Sequence, residues 1–235
     1  MKNLLKLFLI SVLSISMFAH NFTGVSASED TLPFNEEEQQ EKYDEVYQQD
    51  AELIDYLNKN MDGLLAEGKE QAKLDTEKGA YVETRSAQLG TYGDILVSLI
   101  IDSGSSGFAG HAAIVSNNNA KTIESFAKGW SPINKDGVQV YNNTWNKSGA
   151  ILLRPNNAGG KYSSAASWAE KQVGKPYNWN FFNKTTTSKF YCSQLVWLAW
   201  KAQGVDTEIG SIPNGVIAPA DLVNSSNTYV VKKVN

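Results

Sequence analysis

The sequence predicts an α+β fold with an antiparallel sheet, and three observations predict it. A helical period of apolar residues begins at Glu36 amid acids and amides. From Gly90 the pattern changes to short apolar runs of strand length, divided by Gly-, Asn- and Ser-rich turns. Two apolar segments among and after those runs, 164–173 and 192–203, each stop at a glycine in the manner of helices. No internal repeat is visible.

The opening stretch stands apart from this fold. Residues 1–6 carry Lys2 and Lys6, residues 7–18 are apolar, and Val25-Ser26-Ala27 supplies small residues for a cleavage point. That is the plan of a secretory signal peptide over residues 1–27, and the apolar run is short for a bilayer span. The alternative is a retained anchor helix. With no second long apolar run, the expectation is an exported protein with no stable membrane anchor after cleavage.

Residues 28–88 read as an acidic helical extension or pro-region. Tyr43, Tyr47, Ile54, Leu57, Met61 and Leu64 recur at helical spacing. Gly63 and Gly68 weaken the far end, and 69–90 reads as a linker or a second short helix. The segment fits a pro-region, a helix docked on the domain or a short coiled-coil arm, and the sequence does not choose.

The domain proper covers residues 89–235. Residues 94–101 form a continuous apolar run suited to a buried strand. A Gly/Ser-rich loop, 102–110, follows. Residues 111–115 and 122–126 are two short strands joined by an Asn-rich turn, and 138–141 and 150–154 are further strands. Residues 164–173 form a helix closed by Gly174, a long loop covers 175–191, and 192–203 is a strongly apolar helix ended by Gly204. Pro219 opens a one-turn helix, and 228–234 is the last strand.

Charge divides along the same boundary. The net charge is −4, yet from Glu29 to Asp55 there are eleven acids against one base. From Arg85 to the end there are fourteen bases against eight acids. A basic exported domain suits anionic wall polymers or lipid head groups, or is simply an ordinary solvated surface. Nothing reads as a nucleic-acid binder.

Cys192 is the sole cysteine, so there is no internal disulfide. His20 leaves with the signal peptide, which makes His111 the only imidazole of the mature chain. One Cys and one His cannot supply the usual ligands of a zinc site, so no metal and no cofactor is expected.

Cys192 falls at the start of a helix, where unpaired backbone N–H groups stabilise a thiolate and can hold an oxyanion. The competing reading is a buried structural thiol. His111 opens its strand and has the one side chain with an ordinary pKa near neutrality, fit to exchange a proton with a thiol. Glu124 lies inside an apolar strand, where a carboxylate needs a partner. A hairpin with a four-residue loop sets His111 opposite Glu124. A loop two residues longer sets Ala113 opposite Glu124 and keeps both side chains on one face. A nucleophile, a base and an orienting acid thus each sit where their chemistry needs them.

Gly174-Lys175-Pro176-Tyr177, a loop, and then Tyr191-Cys192-Ser193-Gln194-Leu195-Val196 resemble the NlpC-type cysteine peptidases of bacterial cell walls. In that family the Cys precedes the His. Here Gly93-Asp94-Ile95-Leu96, Gly110-His111 and Ile123-Glu124-Ser125 all come before the Cys. The order resembles the circularly permuted papain-like amidases, the YiiX/YebB and YaeF group. The resemblance implies a permuted papain-like (NlpC-type) fold, with an antiparallel sheet packed against the Cys-bearing helix. It implies Cys192 as nucleophile, His111 as general base and Glu124 as third member, with Tyr177 lining the site. Tyr191 and Ser193, beside the nucleophile, join Tyr177 as substrate-binding candidates. Tyr191 stands where the family has Asp, and Gln194 where it has Gly, so substrate fit does not transfer.

The leading expectation is hydrolysis of an amide in a peptide or peptidoglycan-type substrate. The second is lipid acyl transfer or deacylation of the lecithin–retinol acyltransferase type, which would show as an apolar tunnel beside Cys192. The third is a non-enzymatic surface protein, which would show as Cys192 packed away from His111.

Overall fold

The computed structural model describes residues 36–77, 88–100, 110–208 and 215–235. The expected signal peptide and most of the 102–110 loop lie outside the described residues.

Six strands build one antiparallel sheet: β1 (Ile95–Ser98), β2 (His111–Val115), β3 (Lys121–Phe126), β4 (Gly137–Asn142), β5 (Ala150–Pro155) and β6 (Thr228–Lys233). Their spatial order is β4-β3-β2-β1-β5-β6. The helices are α1 (Glu36–Glu77), α2 (Tyr162–Glu170), α3 (Cys192–Lys201) and α4 (Pro219–Asn224).

The apolar run at β1 reflects burial on both sides of the sheet. Ile95 and Val97 join Ile114, Ile123, Ile151 and Leu153 under the helices. Leu96, alternating with them, joins Val115, Leu152, Leu89 and Trp145 on the opposite face. The Cys-bearing helix packs as expected, since Leu195, Val196, Ala199 and Trp200 share the first cluster with Ile114 and Ile123. The motif pair Gly93-Asp94 anchors the start of β1. Asp94 is fully buried and accepts from Arg154 Nε at 2.9 Å and from the Thr91 N–H at 2.9 Å. Gly93 has a φ of +80°, and a Cβ there would lie 2.4 Å from the Tyr162 carbonyl oxygen.

The β2–β3 hairpin takes the longer of the two loops. Ile114 pairs with Ile123 and Val115 with Thr122. The turn is closed by Ser116 N–H to Lys121 O at 3.1 Å and Lys121 N–H to Asn118 O at 2.7 Å, with the Asn118 side chain accepting from Ala120 N–H.

Two boundaries differ from expectation. Helix α2 spans Tyr162–Glu170 rather than 164–173, because the chain leaves α-geometry in a turn before Gly174, whose φ is +92°. The larger correction concerns α1, which runs unbroken to Glu77, so 69–77 is neither linker nor second helix. Gly68 is not a breaker: it lies in the stripe that holds Leu57 and Met61, where the backbone of β6 comes closest. Val46, Ile54, Leu57 and Met61 are buried in the same core as α3 and the sheet. Tyr229 Oη donates to Asp75 Oδ2 at 2.9 Å, and the Tyr43 ring stacks on Phe182 at 5.1 Å. Helix α1 is thus packed on the domain, an arrangement that suits a docked helix and a pro-region alike.

Candidate active site

Cys192 is the first residue of α3, and Tyr191 caps that helix in extended geometry with φ −93° and ψ 170°. The cap is held by Gln194, whose Oε1 accepts from the Tyr191 N–H at 3.1 Å and from Asn178 Nδ2 at 3.0 Å. Gln194 Nε2 donates to the carbonyls of Lys184 and Thr186, both at 3.1 Å. The bulky residue at this position is therefore a buried tie between the nucleophile's helix and the 175–191 loop. It also holds the N-terminus of α3, on which the sulfur is carried.

His111 opens β2, and its ring stacks on Phe126 at 4.0 Å and lies nearly parallel to Trp145 at 5.9 Å. Nε2 donates to Glu124 Oε2 at 2.8 Å. Because Nε2 is engaged, Nδ1 is the nitrogen left to face Cys192. Glu124 is 5% exposed, and its other oxygen accepts from Trp145 Nε1 at 3.2 Å and from the Thr122 hydroxyl. Three donors converge on this carboxylate, which offsets its desolvation in an apolar strand and fixes the direction in which it holds the imidazole.

Burial pushes the His111 imidazolium towards neutrality. The hydrogen bonds and charges of Cys192 and Glu124 reverse that and raise its pKa to about 9. Burial pushes the Cys192 thiol up in turn. The hydrogen bond and charge of His111, with the Ala112 N–H and the Ser193 hydroxyl, outweigh that and hold it below the ordinary thiol range. Both shifts favour a thiolate–imidazolium pair. Cys192 and His111 are thus brought together with Glu124 behind the ring, as the sequence suggested.

The three substrate-binding candidates are placed otherwise. Tyr191 is fully buried, its ring edge-on to Phe181 at 5.3 Å and its hydroxyl accepting from the Ile217 N–H at 3.1 Å. Ser193 is fully buried too and donates to the Ile217 carbonyl at 2.6 Å. Together they clamp the chain at Ile217 against the start of α3. Tyr177 is buried among Trp179 and Phe181. None of the three lines the cleft at His111: Tyr191 and Ser193 turn from the start of α3 into the core, and Tyr177 packs with Trp179 and Phe181. Sequence reasoning missed Thr122, Phe126 and Trp145. The period-2 pattern of β3 could have found the first two, since Thr122 and Phe126 alternate in step with Glu124.

A cleft of about 540 Å³ opens at His111 and Glu124. Phe126, Trp130, Tyr141 and Trp145 supply most of its apolar wall, and Lys147 lies at its edge. Cys192 does not line it and is itself buried.

The model of a family described as permuted papain-like amidase enzymes (YaeF/YiiX, C92 family) matches residues 89–221. The chain is 30% identical over 107 residues to the uncharacterized protein YycO of Bacillus subtilis (strain 168), covering 42% of each chain. It thus spans well under half the length of that relative. No solved structure matches.

Proposed function

The chain belongs to the permuted papain-like amidase family, a family of cysteine hydrolases, and from that premise we propose that it is an exported enzyme cleaving an amide bond of a cell-wall peptide or related substrate through a thioester on Cys192. The observation that carries this reading is the set Cys192, His111 and Glu124: a thiol held low, an imidazole held high, and a 2.8 Å bond from Nε2 to a carboxylate that has two further donors.

In the proposed reaction the Cys192 thiolate attacks the amide carbonyl, and the backbone N–H of Cys192 at the start of α3 holds the oxyanion. The intermediate collapses as the His111 imidazolium gives its proton to the departing nitrogen, leaving an acyl thioester and a free amine. His111, now neutral, takes a proton from water as the oxygen attacks the thioester. Collapse then releases the acid and restores the thiolate–imidazolium pair. Glu124 holds the ring and stabilises its charged form throughout.

Of the alternatives, a non-enzymatic role is disfavoured because Cys192 is paired with His111 rather than packed away from it. The deciding experiment incubates the full chain with wall-peptide fragments and with phospholipids, followed by mass spectrometry of the products. Amide cleavage with water added across the bond is the expected result. Released fatty acid with intact peptide would replace this reading by the lipid one.

Trp145 gives a finer test. Trp145→Phe keeps a ring beside His111 and removes one donor from Glu124. A hydrogen bond to a charged group is worth about 1.5–3 kcal/mol, so kcat/KM should fall by about tenfold or more while the circular dichroism spectrum is unchanged.

A further inference from the structure

We infer that Ser125 is a positioning residue for the nucleophile: its hydroxyl pins the chain entering α3 to the strand that carries Glu124, and so sets where the Cys192 sulfur stands against the His111 ring. One consequence, in hydrolysis, rests on the amidase reading; the other, at the sulfur, does not.

Strand β3 uses its two faces for two tasks, since successive side chains of a strand point to opposite sides. Glu124 and Phe126 take the cleft side. There Glu124 accepts from His111 Nε2 at 2.8 Å and Phe126 stacks on the imidazole. Ile123 takes the other side, in the core shared with Leu195 and Val196 of α3. Ser125 alternates with Glu124, falls on this helix side and is buried. A hydroxyl buried there needs a partner. Its Oγ donates to the Phe190 carbonyl at 2.5 Å, and Phe190 stands two residues before Cys192.

This tie matters because backbone pairing does not hold the His111 end of the hairpin to β3. The ladder between β2 and β3 comprises Ile114 with Ile123 and Val115 with Thr122, and His111 lies beyond it. The imidazole is tied to β3 there through Glu124. At the start of α3, the bonds of Gln194 run to the 175–191 loop, and those of Tyr191 and Ser193 run to Ile217. Ser125 instead joins the nucleophile's chain to the residue next to Glu124. Imidazole and sulfur thus share one short reference: His111 through a bond to residue 124, Cys192 through a bond from residue 125 to residue 190. A thiolate–imidazolium pair depends on its separation, because both the hydrogen bond and the charge attraction weaken with distance.

Ser125→Ala removes the tie without orphaning the carbonyl, since Phe190 O also accepts from the Asn178 N–H at 3.1 Å. The variant should therefore fold, as read by circular dichroism. Alkylation of Cys192 by iodoacetamide at pH 6 should slow by about fivefold or more, because a poorer pair leaves less thiolate. At pH 10 the thiol is ionised in either protein, and the two rates should agree. With a cleaved amide, kcat should fall by about tenfold or more while KM is unchanged. Ser125→Thr keeps the hydroxyl on a residue that suits a strand and should restore most of both rates. A Ser125→Ala protein that labels at the wild-type rate at pH 6, one whose rate changes equally at both pH values, or one not rescued by Ser125→Thr would overturn the assignment. Failure of the amidase reading looks different: none of the three proteins cleaves an amide, while the contrast in alkylation between them remains.

Discussion

Replacing Cys192 with alanine is expected to remove every trace of iodoacetamide labelling and to lower amide hydrolysis by about 10⁴-fold or more, because Cys192 is the sole cysteine and the neighbouring Ser193 hydroxyl is committed to the Ile217 carbonyl. His111→Gln should separate the sulfur's two needs. The imidazole is what holds the thiol below its ordinary range against the opposing push of burial. Without it, burial is opposed only by the Ala112 N–H and the Ser193 hydroxyl and the thiol's pKa rises, so alkylation at pH 7 should slow by at least about tenfold. Hydrolysis should fall further, by about 10³-fold, because the proton donor to the leaving amine is lost as well.

The wild-type pH profiles follow from the same pair. Below the lowered thiol pKa the sulfur is protonated and both reactions are slow. Above it the thiolate forms and both rise. Near pH 9 the His111 imidazolium gives up its proton. Hydrolysis then declines, since nothing protonates the departing nitrogen, whereas alkylation, which needs only thiolate, does not. A bell for hydrolysis beside a plateau for alkylation is the expected pattern, read by steady-state rates and by mass spectrometry of the labelled protein. Parallel profiles, or a His111→Gln enzyme that labels at the wild-type rate, would separate His111 from the thiol's activation.

What the sequence made legible was the chemistry and the strands that carry it. Cys192, His111 and Glu124 were readable because a lone thiol, a lone imidazole and a carboxylate in an apolar strand each need an explanation. The hairpin was readable only to within its loop length, since a period of two residues keeps His111 and Glu124 on one face in either register. The choice lay with the Ser116 and Asn118 side chains, whose hydrogen bonds favour the longer turn. Trp145 was not legible. It lies outside any strand, and its bond to Glu124 joins residues 21 apart through tertiary packing. The surroundings of the substrate-binding candidates were not legible for a related reason: nearness in sequence to Cys192 says nothing of direction, and Tyr191 and Ser193 both turn to Ile217.

The far end of α1 shows the same limit and yields the sharpest stability prediction. Two glycines in one helix are expected to respond in opposite senses to the same substitution. Gly63 is exposed and a Cβ there meets nothing within 4 Å, so Gly63→Ala should stabilise the protein by up to about 1 kcal/mol through helix propensity alone. Propensity predicts the same gain at Gly68. The structure predicts the reverse, because a Cβ at Gly68 would lie 1.8 Å from the Val230 carbonyl oxygen and 2.8 Å from its carbon. Both atoms belong to the backbone of β6, so no rotamer change relieves the overlap. Helix α1 must lift from the strand, which loosens Leu57 and Met61 in the core and strains the bond from Tyr229 to Asp75. Overpacking of this kind costs about 1–3 kcal/mol and more where backbone is the obstacle, so Gly68→Ala should unfold at clearly lower urea than the wild type. Urea midpoints for the two variants decide the matter. If Gly68→Ala gains stability as Gly63→Ala does, α1 does not rest on β6, and a removable pro-region becomes the better description of the segment.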